Sequence, residues 1–328
     1  MSRTSDTEEK ILRKGFSEIA QGYCEAEWEK SRVFLKHFDL NDQIEIDEYY
    51  DSIYSRVREK GLPTNDEAFE FIKSEGLWTP KDDRELTDAH MFLEGMTRRR
   101  ESLIIPSQID ALEKQMKGAR EEVQKLELKK NNLLNETCES YSDKKVNDFT
   151  VWLLFYKDPH LSERLFTWKE FYEIEKSDLN AMFSVFLQKT KHLSTVHIKQ
   201  MAIAPFFLNY FNLLGKNTHL FFNKQVYELS YNQVTLLSYA RVFQNILENV
   251  ENIPDEIRDK PDALLDFAES SKKAQKFKSR AAQKDGYSVV GASKHDMRKM
   301  GIGRGDDTVD ISQLARAKGG KLGLQDFA

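Results

Sequence analysis

Between Ile109 and Leu133 the side chains Ile109, Leu112, Met116, Ala119, Val123, Leu126, Lys130 and Leu133 recur at alternating steps of three and four, with Glu, Lys and Arg at most intervening positions. A stripe repeating every 3.5 residues is covered only by another helix, so this segment predicts one arm of a coiled-coil-like pair. Upstream, Leu86, Leu93, Met96 and Leu103 give a looser version of the spacing. Ile105-Pro106-Ser107 separates the two runs, and proline disfavours helical geometry in the residue before it. Helices joined by so short a turn fold back antiparallel. A second arm from about Ser107 to Asn147 would be about 60 Å long at 1.5 Å per residue, so part of it should protrude. The seam residues expected to carry interactions are Ile109, Leu112, Met116, Val123, Leu126 and Leu133.

The remaining sequence also favours helices. Apolar residues make up 40% and charged residues 31% of the 328, against 15 Gly and 7 Pro, a balance that predicts a mainly α, multi-helix bundle. From Glu8 to about Leu40 apolar residues recur at helical steps and predict amphipathic helices. A further helix runs through Glu48 to Tyr54 and stops at Gly61-Leu62-Pro63, where glycine can end a helix and proline cannot continue it. Thr64 with Glu67 has the spacing of a capping box. Gly76-Leu77-Trp78-Thr79-Pro80 breaks the chain again, with Trp78 as a core anchor and Thr79 or Asp82 able to cap the next helix. From Phe149 to Phe267 the chain is strongly apolar and aromatic. Strands are expected at one place only, a short hairpin pairing 220–222 with 226–229. Four segments follow: an N-terminal helical segment (1–80), the long hairpin (81–148), an aromatic-rich helical core domain (149–270) and a flexible basic tail (271–328).

The tail holds 13 basic and 6 acidic residues, hence +7 against −12 for residues 1–270 and −5 overall. Its sparse apolar content cannot offset chain entropy. Short apolar spots at Tyr287, Val289 and Val290, at Ile311 and Leu314, and at Leu324 and Phe327 are candidate contacts that fold on a partner.

Chemistry is poorly supported. Cys24 and Cys138 are the only cysteines, too few for a disulfide framework or a cysteine-based zinc site, and they point to a reducing compartment. The seven histidines contain no His-Glu-x-x-His pair, and His192 and His197, five apart, do not share a helical face; no metal or cofactor is expected. Gly301-x-Gly303-x-Gly305 lacks the features of a phosphate loop and reads as linker. Arg98-Arg99-Arg100 spreads around a helix rather than forming a patch, so nucleic acid is disfavoured. Acidic pairs such as Asp82-Asp83 read as surface charge. No apolar signal core opens the chain, and the most apolar stretch, Met201 to Leu214, is shorter than the roughly 20 residues a membrane span needs.

The order Gly61-Leu62-Pro63-Thr64, Gly76-Leu77-Trp78-Thr79, the charged hairpin, then Thr137-Cys138-Glu139-Ser140-Tyr141 resembles tail-assembly and tail structural proteins of contractile-tailed bacteriophages. The segment Ile253-Pro254-Asp255-Glu256-Ile257-Arg258-Asp259-Lys260-Pro261-Asp262 resembles the end of such chains, so the likeness spans about residues 50–270. It implies a role in building a tail or baseplate in the infected cell's cytoplasm, or in the virion, with other phage proteins as partners. It brings no catalytic residues.

The leading expectation is therefore a non-enzymatic assembly factor or adaptor, with no membrane partner and with self-association an open alternative. A permanent structural subunit of the particle is the runner-up. A small-ligand enzyme with a pocket in 149–250 is the third reading.

Overall fold

The computed structural model describes residues 3–103, 105–134, 136–214, 217, 221–282 and 296; for 3–7, 101 and 273–282 this covers the backbone alone. The protein is mainly α-helical, with one small sheet among the described residues. It divides into two compact units, Met1–His90 with Glu122–Leu264, and Met91–Glu121 with Leu265–Ala328.

In the first unit, α1 (Arg3–Gln21) ends at Gly22, whose φ of +84° is accessible to glycine and whose N–H bonds the carbonyl of Glu18 at 2.9 Å. An antiparallel hairpin follows, β1 (Tyr23–Trp28) and β2 (Ser31–Lys36), in register Tyr23 with Lys36 and Trp28 with Ser31. Glu29 and Lys30 both have positive φ, 49° and 67°, the backbone of a two-residue turn whose twist matches its strands. β3 (Phe155–Tyr156) pairs with β2 through Leu35 and Phe34. α1 bears out the helix expected from Glu8 as far as Gln21, and these strands correct the helices expected beyond it to about Leu40. Tyr23, Trp28, Val33 and Phe34 favour strands, and packing Cys24, Ala26, Val33 and Leu35 inward outweighs a helical spacing that continues past Gly22 by coincidence. The strands expected at 220–229 are not found among the described residues there. Val226–Glu228 is instead a 3-10 turn, held by Gln225 N–H donating to Glu228 Oε2 at 3.1 Å.

α2 (Leu40–Glu59) is capped by Asp39, and α3 (Asn65–Ser74) by the Thr64–Glu67 box that the sequence shows. α4 (Pro80–Ser102) and α5 (Pro106–Leu133) form the hairpin arms. α6 (Cys138–Leu154) starts anew behind Thr137, which accepts from Ser140 N–H and donates to Asn65 Oδ1 at 2.7 Å. The second arm thus spans 28 residues, about 42 Å, not the ~60 Å of a helix continuing to Asn147. Asn131-Asn132 weakens the helix, and a buried Thr137 cap fixes the next one.

α6 packs on α2 through Ile53, Val57 and Cys138, with Tyr49, Tyr54, Leu62 and Tyr141 around them. Next come α7 (Trp168–Glu173), α8 (Lys176–Thr190), a 3-10 turn at Lys191–Leu193, α9 (Thr195–Ile203), α10 (Pro205–Asn212) and α11 (Tyr231–Asn249). The main core lies between α9 and α11, where Ile198, Met201, Ala202, Leu236, Ala240 and Phe243 are buried. Phe16 of α1 meets Phe206, Phe207 and Phe221 edge-on, and buried Gln233 donates to the Ile19 carbonyl at 2.9 Å, which ties α11 to the end of α1. α12 (Pro261–Ala282) begins in this unit.

In the second unit Arg100 of α4 reaches Glu113 of α5 at 2.8 Å and Glu269 of α12 at 3.5 Å. Asp296, 1% exposed, accepts from both the N–H and the hydroxyl of Ser107 at 2.9 Å.

Candidate functional site

The hairpin arms run antiparallel. In the first unit Lys129 Nζ lies 2.5 Å from Asp82 Oδ1 and His90 Nε2 lies 3.2 Å from Glu127 Oε1, so positions rise on α4 as they fall on α5. Within the second unit Arg100 and Glu113 make the equivalent cross-arm pair. At the base of the hairpin Trp78 is buried and donates through Nε1 to Asp83 at 2.8 Å. The Lys129 ammonium stands 5.7 Å from the Trp78 ring centre, and Lys130 stands 3.7 Å from that of Phe69. These cation–π contacts join α5 to the turn before α4 and to α3.

Of the seam residues read from the sequence, Leu112, Met116 and Val123 are buried, and Ile109, Leu126 and Leu133 are half-buried. Leu86, Ala89, Leu93 and Met96 of α4, and Leu103 just after it, are half-buried. Arg98 pairs with Glu94 at 2.5 Å and Arg100 with Glu113, consistent with a charged helix face. The tail positions Tyr287, Val289, Val290, Ile311, Leu314, Leu324 and Phe327, the glycine run 301–305 and the expected flexibility of the tail lie outside the described residues.

A second constellation, which spacing in the sequence does not reveal, sits inside the first unit. Glu18 of α1, Cys24 of β1, His37 just past β2 and His192 of the 3-10 turn are brought together by the α1–β1 reversal at Gly22 and by the His37 N–H bond to the Gly22 carbonyl at 2.8 Å. The Cys24 thiol lies 3.3 Å from Glu18 Oε2 and 3.1 Å from His37 Nε2, and His192 Nε2 lies 2.5 Å from the same Glu18 oxygen. Glu18, Cys24 and His192 each present one metal-capable atom within 4.8 Å of the others. Burial, and then the charge of Glu18, push the Cys24 thiol up, so it is no thiolate nucleophile. Burial, reinforced by His192 and Lys224, lowers His37 to about 4, so its ring is neutral. The signals in the sequence are faint: a cysteine and a histidine at the two ends of a hairpin that the helical spacing disguises.

Two of the clefts among the described residues carry ionisable or aromatic side chains in their walls. One, about 290 Å³, is lined by His37, Lys36, Thr190, Leu193 and Tyr231. The other, about 570 Å³, is walled by Tyr49, Phe149, Trp168, Phe171 and Tyr172. Four of the charged groups at this second cleft pair with one another, Lys144 with Glu136 at 2.8 Å and Lys145 with Asp148 at 3.8 Å.

No helix among the described residues is long and apolar enough to cross a membrane. No protein-family model, curated protein or solved structure matches the chain. The class of protein that the fold defines is a mainly α protein with an antiparallel helical hairpin.

Proposed function

We propose that the chain is a non-enzymatic assembly factor or adaptor for a bacteriophage tail or baseplate, acting in the host cytoplasm with the hairpin as its contact arm. The observation that carries this reading is the condition of the first arm. Among the described side chains of α4, none is fully buried, and Met91 and Phe92 are 57% and 60% exposed. A helix draws most of its stability from packing an apolar face, so a 23-residue helix left this open has area to give to another molecule. A helix laid against a partner's apolar groove is a common mode of such recognition.

The phage setting is supported by the resemblance of the turn and cap residues around 61–64, 76–79, 137–141 and 253–262. Thr64 and Thr137 act as helix caps in the structure, and Trp78 as the anchor of the hairpin base, so these quoted residues set the frame from which the hairpin extends.

The test is co-purification of the full-length chain from cells making the tail and baseplate proteins of its own phage, with mass spectrometry of the captured proteins and of finished particles. Tail or baseplate proteins captured by the chain, and the chain missing from particles, are the expected results. Retention in particles at fixed copy number would make it a structural subunit instead, and capture of no tail or baseplate protein would overturn the proposal.

A further inference from the structure

We propose that Glu18, Cys24 and His192 form a structural zinc site within the first unit, with His37, beside the Cys24 sulfur, as the fourth ligand once its ring moves in. One sulfur, two imidazole nitrogens and one carboxylate oxygen are the donor types that zinc takes in four-coordinate sites. They come from α1, β1, the residue after β2 and the 3-10 turn at Lys191–Leu193, so one ion would fasten α1 and the hairpin to the segment leading into α9.

The Cys24 sulfur sits among the other donors, 3.3 Å from Glu18 Oε2 and 3.1 Å from His37 Nε2, with His192 Nε2 on the same Glu18 oxygen, so sulfur, nitrogen and oxygen ligand atoms converge on one partly buried point. A divalent ion, one thiolate and one carboxylate sum to zero charge with both imidazoles neutral, which suits a buried site. Binding would release the Cys24 proton to solvent and leave the sulfur as the anionic ligand.

For Glu18, Cys24 and His192 the geometry needs only a small adjustment, whereas His37, 3.1 Å from the Cys24 sulfur but outside the group of atoms within 4.8 Å of one another, would have to move further in. Two ligand atoms about 2.0 to 2.1 Å from a tetrahedral zinc lie about 3.3 Å apart, so the 2.5 Å contact between Glu18 and His192 would open by less than about 1 Å. Lys14 stands 3.8 Å from Glu18 Oε1, the oxygen facing away from the cluster contacts, which are all made by Oε2. α1 passes close to the site at Gly15, where a Cβ would make ordinary contact with Met201 Sδ at 3.4 Å and His192 Cδ2 at 3.5 Å.

The experiment is a Co²⁺ titration of the full-length protein after treatment with a chelator. One Co²⁺ per chain is expected, with the strong visible absorption of tetrahedral cobalt and a near-ultraviolet thiolate-to-cobalt band, both erased by Zn²⁺. Both signals should vanish in Cys24→Ser and His192→Ala and persist in Cys138→Ser, whose thiol instead donates to the Leu62 carbonyl at 3.1 Å. Should Cys24→Ser fail to fold, Cys138→Ser decides, because Cys24 is then the sole thiol. A thiolate band in that variant supports the site. No thiolate band in the wild-type chain, or a band that disappears with Cys138 rather than Cys24, overturns it.

Discussion

Asp296 caps the N-terminus of α5 from a distance of 189 residues, accepting from both the N–H and the hydroxyl of Ser107. The position before Pro106 is Ile105, which has no side-chain acceptor, so the start of the second arm borrows its cap from the far end of the chain. A carboxylate there also meets the positive end of the helix dipole.

Replacing Asp296 with Ala should cost about 1 kcal/mol, and mainly locally. Hydrogen exchange followed by mass spectrometry should show faster exchange across the first turn of α5, with α9 and α11 unchanged. Unaltered protection at that turn would mean the cap contributes nothing.

The seam can be weighed against the outer face of the same helix. Met116→Ala removes a buried side chain and should destabilise by about 2 to 5 kcal/mol, whereas Leu128→Ala, at a 60% exposed position, should stay within about 0.5 kcal/mol of wild type. Urea unfolding of the two variants compares them directly, and equal losses would contradict the burial pattern.

Gln233 offers a test of the α1–α11 tie. Gln233→Leu keeps the volume but removes the amide donor to the Ile19 carbonyl, which retains only the Gly22 N–H at 3.2 Å, and the acceptor of the buried Ser230 N–H. A loss of about 1 to 3 kcal/mol in thermal or chemical unfolding is expected, and a neutral result would show that neither group depends on Gln233.

Acid should loosen the hairpin base through Asp82. The Lys129 ammonium, then the Thr79 hydroxyl and N–H, hold this carboxyl below the ordinary value of 3.8. A group depressed in the folded state contributes stability above its unfolded pKa and loses it as pH falls through the folded one, so the effect belongs below pH 3.8. Unfolding followed from pH 6 to about pH 2 should lose part of its acid dependence in Asp82→Asn; an identical profile would remove Asp82 from the account.

What could be read from the sequence was whatever depended on local periodicity and punctuation. The 3,4 spacing from Ile109 to Leu133 placed the α5 seam, Pro106 placed the turn, and Thr64 with Glu67 placed a cap, because each is decided by neighbours within a turn or two of helix. The strands at 23–36 were hidden. Their apolar residues also fit helical steps, and only long-range packing, including the addition of Phe155–Tyr156 beside β2, decides between the two periods. The Glu18–Cys24–His37–His192 cluster was hidden for the same reason, since it exists only once that hairpin folds back on α1 and the segment at 191–193 arrives beside it. The cap from Asp296 has no sequence signature at all.

The hairpin as a contact arm is tested most directly by substituting its exposed apolar side chains and leaving its seam intact. The double variant Met91→Ser, Phe92→Ser should keep the wild-type circular dichroism and urea midpoint, because both side chains already face outward. In co-purification with the tail and baseplate proteins of its phage it should lose the partner that the wild-type chain retains. A folded double variant that captures the same proteins in the same amounts would contradict the account.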